Sequence, residues 1–226
     1  MHLTDKNTPK FSFYTIIHKA IRKEIFQLCL IAGKTDFSDF EAADFFKKEM
    51  TEVFSFLREH SRHEEIFIHP LLEALNIDEF KFINKEHEVL EVELGKLEKL
   101  LSQFINPNSC VESANEFYLE LCQFASHYLA HLYFEENNLM PILATNYELS
   151  ELMTAMDSFK NGQSLEQTFV SLNMILSSIS PQEALILLTE IKQSAPTELF
   201  IKICHLAERK MLATDWQKIS VVKELG

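Results

Sequence analysis

Two stretches of the chain repeat one another and decide the fold. Residues 60–72 are HSRHEEIFIHPLL, and residues 131–143 are HLYFEENNLMPIL. Both fit the pattern H-x3-E-E-x4-P-[LI]-L, and the second copy begins 71 residues after the first. A repeat that keeps the spacing of a histidine, two glutamates and a proline indicates two copies of one structural unit.

A second pair of related segments lies upstream of these two copies. HKAIRKEI begins at His18 and HEVLEVEL begins at His87, and both fit H-x2-[IL]-x2-E-[IL], 69 residues apart. Each half of the repeat therefore supplies one histidine and, 42 or 44 residues later, a His-x3-Glu pair. We predict two helical hairpins related by a pseudo-twofold axis.

The helix breakers divide the rest of the chain. With only 4 Gly and 6 Pro, long stretches lack turn residues, which favours an all-α fold over strands. We predict an up-down-up-down four-helix bundle over residues 1–146 and a helical C-terminal extension over residues 147–226. The first helix is expected to start at Thr8-Pro9 and end at Gly33, and Asp36 or Ser38 to cap the second. Asp78 is predicted to open the third, which runs from Glu79 to about Phe104 and is stopped by Asn106-Pro107; the fourth is predicted from about Ser109 to Pro141. In the extension, Asn161-Gly162 is predicted to be a turn and Ser180 to open a capping box.

Composition excludes several classes of function. The net charge of −13 argues against a nucleic-acid or anionic membrane surface, because phosphate binding needs clustered Lys and Arg. No segment approaches the roughly 18 apolar residues of a membrane span, and no secretion signal opens the chain. The four cysteines form no CxxC motif, as expected of reduced thiols in a cytoplasmic protein.

The His-x3-Glu pairs carry the chemistry. Residues i and i+4 lie on one face of a helix, so His60 with Glu64 and His131 with Glu135 can each point at one place. A lone pair of this kind recurs by chance, but chance explains poorly a second copy with the same spacing. Imidazole and carboxylate ligands together suit iron or manganese. Only a carboxylate can offer one oxygen to each of two metals, so the glutamates are the expected bridges.

This pattern resembles the hemerythrin-like, HHE cation-binding family over about residues 10–146. The resemblance implies a non-haem, carboxylate-bridged centre of two iron ions, for which manganese or zinc could substitute. One departure stands at Ile83, four residues before His87, where the oxygen-carrying members have a second histidine. The site therefore resembles the symmetric version of bacterial iron-repair and iron-sensing relatives, and reversible oxygen carriage is not expected. The implied ligands are His18, His60, Glu64, His87, His131 and Glu135.

Three functions stay open from the sequence. The first is reaction with, or sensing of, oxygen, nitric oxide or peroxide, or iron handling. The second is an enzyme-like role: repair of iron–sulfur centres, or reduction of peroxide or nitric oxide. The third is an interaction module in which the metal only stabilises the bundle. Residues 147–226 could bind a protein partner or a second copy of the chain.

Five neighbouring residues are not expected to be ligands. His127 is one turn before His131 and could be a seventh ligand, but is expected to line the cavity or support a ligand. His63 and His69 are expected on the solvent side. Glu65 and Glu136 are expected at the surface or behind the ligands.

Overall fold

The computed structural model describes residues 12–104, 111–162 and 164–223. Within these ranges all regular structure is helical and no residue is in a strand, which confirms the predicted all-α class. The first helix begins at Thr15 and residues 12–14 are not helical, so the start predicted at Thr8-Pro9 was wrong. The hydroxyl of Ser12 instead accepts hydrogen bonds from the backbone N–H groups of Tyr14 and Thr15, next to the helix start. The predicted boundaries at Asn106-Pro107 and Ser109 lie outside the described residues. No described helix is both long enough and apolar enough to cross a membrane.

The first part of the chain folds into four long helices and two short ones. Helix α1 packs against α2 and α5, and α4 also packs against α2 and α5, around one shared apolar core. A large apolar side chain fully buried in such a core contributes about 1.5–3 kcal/mol. The elements are α1 (Thr15–Ala32), α2 (Phe40–Phe67), α3 (His69–Ala74), α4 (Asp78–Phe104), α5 (Val111–Phe134), a π-helical turn (Glu135–Leu139) and α6 (Met140–Asn146).

Each long helix buries a main stripe of side chains with alternating spacings of four and three residues. This spacing keeps the side chains on the face that meets the neighbouring helices. The stripes obey the offsets of the sequence repeat, so residues at equivalent places in the two halves are buried alike. Histidines and glutamates fill the stripe positions nearest one end of the core, so the core pattern itself buries them. The stripes are Tyr14, His18, Ile21, Ile25, Leu28 and Ala32; Phe46, Met50, Val53, Leu57, His60 and Glu64; Ile83, His87, Leu90, Leu94, Leu97 and Leu101; and Phe117, Leu121, Phe124, Tyr128, His131 and Glu135.

The cap of α2 differs from the prediction. Asp39, not Asp36 or Ser38, accepts hydrogen bonds from the backbone N–H groups of Glu41 and Ala42. Its extended backbone (φ −84°, ψ 116°) directly before the helix lets the carboxylate reach these N–H groups. Asp36 instead accepts hydrogen bonds from the backbone and hydroxyl of Ser38.

Both copies of the repeat interrupt their helix just before the proline. Proline has no N–H, and its ring clashes with the carbonyl four residues earlier, so a regular α-helix does not pass through it easily. In the first copy α2 ends at Phe67, and α3 begins with Pro70 in its first turn. In the second copy the backbone N–H of Met140 donates to the carbonyl of Glu135, five residues back, and Pro141 follows. The repeat thus preserves a break of the helix next to each glutamate pair.

The C-terminal extension is a layer of shorter helices. Ser164 and Ser180 each open a helix with a capping box, which confirms the prediction at Ser180. The turn predicted at Asn161-Gly162 is instead the last part of a helix that ends at Gly162. The layer has an apolar core of its own, to which Trp216 contributes. Its elements are α7 (Leu149–Gly162), α8 (Leu165–Ile175), α9 (Pro181–Ser194), α10 (Thr197–Lys210), α11 (Ala213–Ile219) and a 3-10 turn (Ser220–Lys223).

The C-terminal layer docks on α1 and α2. Helix α8 lies along α1, and its Met174 enters the core of the four long helices. Helix α7 packs against α2. Polar side-chain contacts also cross the boundary: Lys23 Nζ donates to Ser177 Oγ at 2.8 Å, Lys19 Nζ lies 2.5 Å from Glu183 Oε1, and Gln167 donates to Glu59. One face of the bundle is therefore covered by the chain's own C-terminal part.

Candidate metal centre

Six buried side chains from four helices and the π-helical turn meet at one end of the core. Helix α1 supplies one histidine, α2 a histidine and a glutamate, α4 and α5 one histidine each, and the π-helical turn a second glutamate. All six are at least 92% buried, and these are the residues that the sequence predicted. They are His18, His60, Glu64, His87, His131 and Glu135.

The first half of this cluster contains His18 of α1 and His60 of α2, together with one oxygen of each glutamate. His18 Nε2 lies 3.4 Å from Glu135 Oε2 and 4.0 Å from Glu64 Oε1. His60 Nε2 lies 3.3 Å from the same oxygen of Glu64. Two imidazoles and one oxygen from each glutamate therefore surround one point, with their ligand atoms within 4.8 Å of one another.

The second half contains His87 of α4 and His131 of α5, together with the other oxygen of each glutamate. His87 Nε2 lies 3.6 Å from Glu64 Oε2 and 3.7 Å from Glu135 Oε1. His131 Nε2 lies 3.1 Å from Glu135 Oε1. Each glutamate thus turns one oxygen to each half, which is the arrangement that two cations bridged by carboxylates need.

The hydrogen bonding of the cluster fits a bound cation. Burying a polar atom without a hydrogen bond costs about 1–3 kcal/mol, so such atoms are rare in folded proteins. Burial, and after it the charge of Glu135, raises the pKa of Glu64, and burial lowers the pKa of His60. The buried atoms without a hydrogen-bond partner in the described residues include Nε2 of His18, His60, His87 and His131, both carboxylate oxygens of Glu64, and Oε2 of Glu135. Bound cations would be partners for these atoms, and nitrogen and oxygen donors without sulfur suit iron, manganese or zinc.

Two further glutamates contact Nδ1 of His18 and His87, the ring nitrogens that point away from the cluster. His18 Nδ1 lies 2.9 Å from Glu136 Oε1, and Arg22 donates two hydrogen bonds to the same carboxylate. His87 Nδ1 lies 3.2 Å from Glu65 Oε1. An Nδ1–H that donates to a carboxylate leaves the Nε2 lone pair facing the centre. Burial raises the pKa of Glu136, but the hydrogen bonds from His18 and Arg22 outweigh it and lower the pKa to about 2. The second glutamate of each Glu-Glu pair therefore lies behind a histidine, outside the cluster itself.

His63 and His69 are buried, so the expectation that both lie on the solvent side was wrong. His63 is 5% exposed and bonds Glu59, whose carboxylate also accepts from Gln167 of α8. The C-terminal layer therefore covers this face of α2. His69 is also 5% exposed, because α2 ends at Phe67 and the chain turns before His69, which a continuous helix would direct away from Glu64.

His69 lies beside the second half of the cluster. Its ring centroid is 4.7 Å from that of His87, with an angle of 38° between the rings, and its ring meets Phe80 edge-on at 5.8 Å. Burial lowers the pKa of His69 to about 4. The sequence offered no signal for this placement, because it depends on the break in the helix.

His127 lies outside the cluster. Its Nε2 is 2.9 Å from Glu86 Oε2 and its Nδ1 is 3.1 Å from Glu93 Oε2, both on α4, and 26% of its side chain is exposed. Burial lowers its pKa, and the two carboxylates outweigh this and raise it. With both nitrogens directed at these glutamates, His127 neither joins the six side chains nor supports one of them.

Two buried tyrosines border the cluster and were missed in the sequence. The ring of Tyr14 lies 5.1 Å from that of His18, and the ring of Tyr128 lies 5.6 Å from that of His131. Burial first, and then the charges of Glu64 and Glu135, raise the pKa of both phenols. Their spacing contained a signal, because each precedes its histidine by three or four residues and so shares its helix face.

The described cysteines do not take part. Cys29, Cys122 and Cys204 are not in disulfide bonds, and none belongs to the cluster. Burial, with the neighbouring Cys122 second, raises the pKa of Cys29 to about 12, which disfavours the thiolate that a metal would need.

Comparison with known proteins supports a cation-binding role. The family model described as the hemerythrin HHE cation binding domain matches residues 12–158, more than half of the chain. The match includes all six clustered residues and continues into α7. No curated protein and no solved structure matches the chain.

Proposed function

The chain belongs to the hemerythrin HHE cation-binding family, and from that premise we propose that it holds two iron ions in a carboxylate-bridged centre. The ligands are His18, His60, Glu64, His87, His131 and Glu135. The centre reacts with or senses oxygen, nitric oxide or peroxide. Manganese and zinc are the expected competitors of iron at these donors.

One observation carries this proposal: the six side chains divide into two matching halves that share both glutamates. Each half offers two imidazole nitrogens and one oxygen from each carboxylate. A structural site for a single zinc ion needs four donors and no shared pair. The duplication of the donor set along the repeat supports two ions.

The donor count favours reaction with a small molecule. Two histidines with carboxylate oxygen form the type of donor set with which non-haem iron leaves positions open for oxygen. Iron held there would supply one-electron redox chemistry. The residues of the chain bury the centre, orient the imidazoles and exclude bulk water.

Ile83 supports sensing or reduction over reversible oxygen carriage. It is fully buried and lies in an apolar cluster with Leu72, Leu139 and Leu143. The side chain one turn before His87 therefore cannot complete the coordination of the second ion. We expect the oxidised centre to persist, since this ion keeps an open position.

The arrangement of the rest of the chain enters this proposal as well. We propose that the four long helices run up-down-up-down, because consecutive helices pack together across short connections. We also propose that residues 147–226 form a docking layer without a second active site, and that the protein works in the cytoplasm.

Iron loading tests the proposal directly. After anaerobic incubation with ferrous iron, elemental analysis should find two iron ions per chain. Glu64→Ala and Glu135→Ala should each lose both ions, because each glutamate serves both halves. Glu52→Ala, an exposed glutamate on the same helix as Glu64, is the matched control and should keep two. A single ion per chain, or binding of zinc alone, would contradict the paired centre.

Exposure of the reduced, loaded protein to oxygen tests its chemistry. We expect the optical spectrum to change to that of an oxidised centre and to stay so after oxygen is removed. A stable and fully reversible oxygen adduct would contradict the role that we assign to Ile83.

A further inference from the structure

The two halves of the cluster match in their donors but not in the residues beside them. The position four residues before the upstream histidine is Tyr14 in the first half and Ile83 in the second. The residue directly before the proline is His69 in the first copy of the motif and Met140 in the second. Each exchange puts a polar aromatic side chain where the other copy has an apolar one.

The two polar aromatic rings take up similar places in space. Tyr14 lies against His18 with 5.1 Å between ring centroids and 32° between ring planes. His69 lies against His87 at 4.7 Å and 38°. Each upstream histidine is thus covered by one ring, a phenol in the first half and an imidazole in the second. The two halves are chemically different although their donor sets are alike.

His69 lies beside the donor set and not within it. Among the described residues, the groups whose ligand atoms lie within 4.8 Å of one another contain the six clustered side chains and not His69. Its ring covers a face of His87, and a ring that stacks on a ligand in this way does not point at the same metal. His69 is 5% exposed, so its imidazole places an N–H group in a largely buried position next to the second half.

An imidazole and a phenol have different consequences for a small ligand. An imidazole carries at least one N–H in either protonation state, so its donor is always present. Ile83 stands at the position that Tyr14 holds in the first half, and its side chain has no hydrogen-bond donor. A small anion bound beside His87 could therefore accept a hydrogen bond from His69.

We propose that small anionic or oxygen-derived ligands bind at the second half of the centre, where His69 donates a hydrogen bond to them. This inference rests on the proposed di-iron function. His69 acts on the bound ligand and does not hold the metal, so its removal changes ligand affinity and not iron content. The first half, covered by Tyr14, does not take the ligand.

Azide is the probe for the test, added to the oxidised, iron-loaded full-length protein. Its binding is followed by the azide-to-iron absorption band, and iron content is measured on the same samples. His69→Phe keeps a ring against His87 but removes the N–H, and Tyr14→Phe is the matched control at the first half. We expect His69→Phe to keep two irons and to weaken azide binding about tenfold or more, as for a lost hydrogen bond to a charged group. Tyr14→Phe should change the affinity less than about threefold.

Additional variants keep the test decisive. His69→Gln retains an N–H donor and should bind azide more tightly than His69→Leu, which has none. This comparison replaces the first one if His69→Phe does not fold. Unchanged azide affinity in His69→Phe, or a larger loss in Tyr14→Phe, would overturn the inference. Loss of one iron from His69→Phe would overturn it too, since His69 would then be a ligand. Failure of the wild-type protein to bind two irons would instead refute the proposed function, before any variant is compared.

Discussion

Neighbouring glutamates in each Glu-Glu pair have different surroundings. Glu64 and Glu135 point into the cluster and are almost completely buried. Glu136 bonds His18 and Arg22 with a quarter of its side chain exposed, whereas Glu65 bonds His87 with half of its side chain exposed. A carboxylate behind a metal ligand fixes the orientation of the imidazole and raises its basicity. In each pair the first carboxylate therefore lies in the cluster, and the second contacts a histidine of the cluster from outside.

Substitution at these outer glutamates should have a graded effect. Glu136→Ala should weaken metal binding about 10–100-fold, the usual effect of losing a partner behind a ligand. Glu65→Ala should have a smaller effect, because its contact with His87 is longer and more exposed to water. A competition titration with a chelator measures both. Complete loss of both ions from Glu136→Ala, equal to Glu64→Ala, would mean that Glu136 is itself a bridging ligand.

At the scale of the elements, the interruptions of the helices before Pro70 and Pro141 determine the direction of the neighbouring side chains. The π-helical turn begins at Glu135, so the clustered glutamate and Glu136 stand where the helix changes its winding. Such turns are often found at functional sites. In the first copy Glu64 still lies on regular α-helix, with its carbonyl accepting from Ile68, and the break follows it. The second glutamate therefore depends on the irregular turn, and the first does not.

Pro141→Ala should reveal this dependence. Alanine restores an N–H and allows the helix to continue with α geometry, which would rotate Glu135 away from its present direction. We expect metal affinity to fall about tenfold with little change in helix content. Both are measurable, by chelator competition and circular dichroism. Pro70→Ala is the matched control and should leave metal affinity unchanged, since His60 and Glu64 precede the break. Equal losses in both variants would refute a special role for the π-helical turn.

At the scale of the whole molecule, the C-terminal layer completes the covering of the bundle. Met174 of α8 lies in the bundle core, and Leu152 of α7 packs in the apolar cluster that contains Ile83. All six clustered residues nevertheless lie before α7. The layer therefore contributes burial and stability and supplies none of the donors.

A chain ending at Gly162 should separate these contributions. It retains α7 and should bind two metal ions, but it should unfold at lower temperature and self-associate, because the surface under α8 becomes exposed. Metal analysis, thermal unfolding and light scattering on one sample measure this. Met174→Ala in the full chain should lower the free energy of unfolding by about 2–5 kcal/mol without loss of metal. A shortened chain that is helical but metal-free would mean that the C-terminal layer is needed to assemble the centre.

The sequence alone was sufficient for the helical class, the internal repeat and the six residues that meet in the cluster. The two His-x3-Glu pairs depend on local geometry, because a spacing of four residues on a helix puts a histidine and a glutamate on one face wherever the helix lies. The capping box at Ser180 was predictable for the same reason, because all of its hydrogen bonds lie within one turn. His18 and His87 were identified from the internal repeat and from the family resemblance.

The tertiary structure alone decided which neighbouring residues lie near the cluster. His63 is buried because α7 and α8 cover that face of α2, and no spacing within α2 contains this information. His69 reaches His87 because the helix stops before Pro70 and the next segment turns inward. His127 bonds glutamates of α4 because that helix lies opposite it. Burial and side-chain pairing between segments depend on which surfaces meet, and this is settled by the packing of the whole chain and not by the periodicity of any one helix.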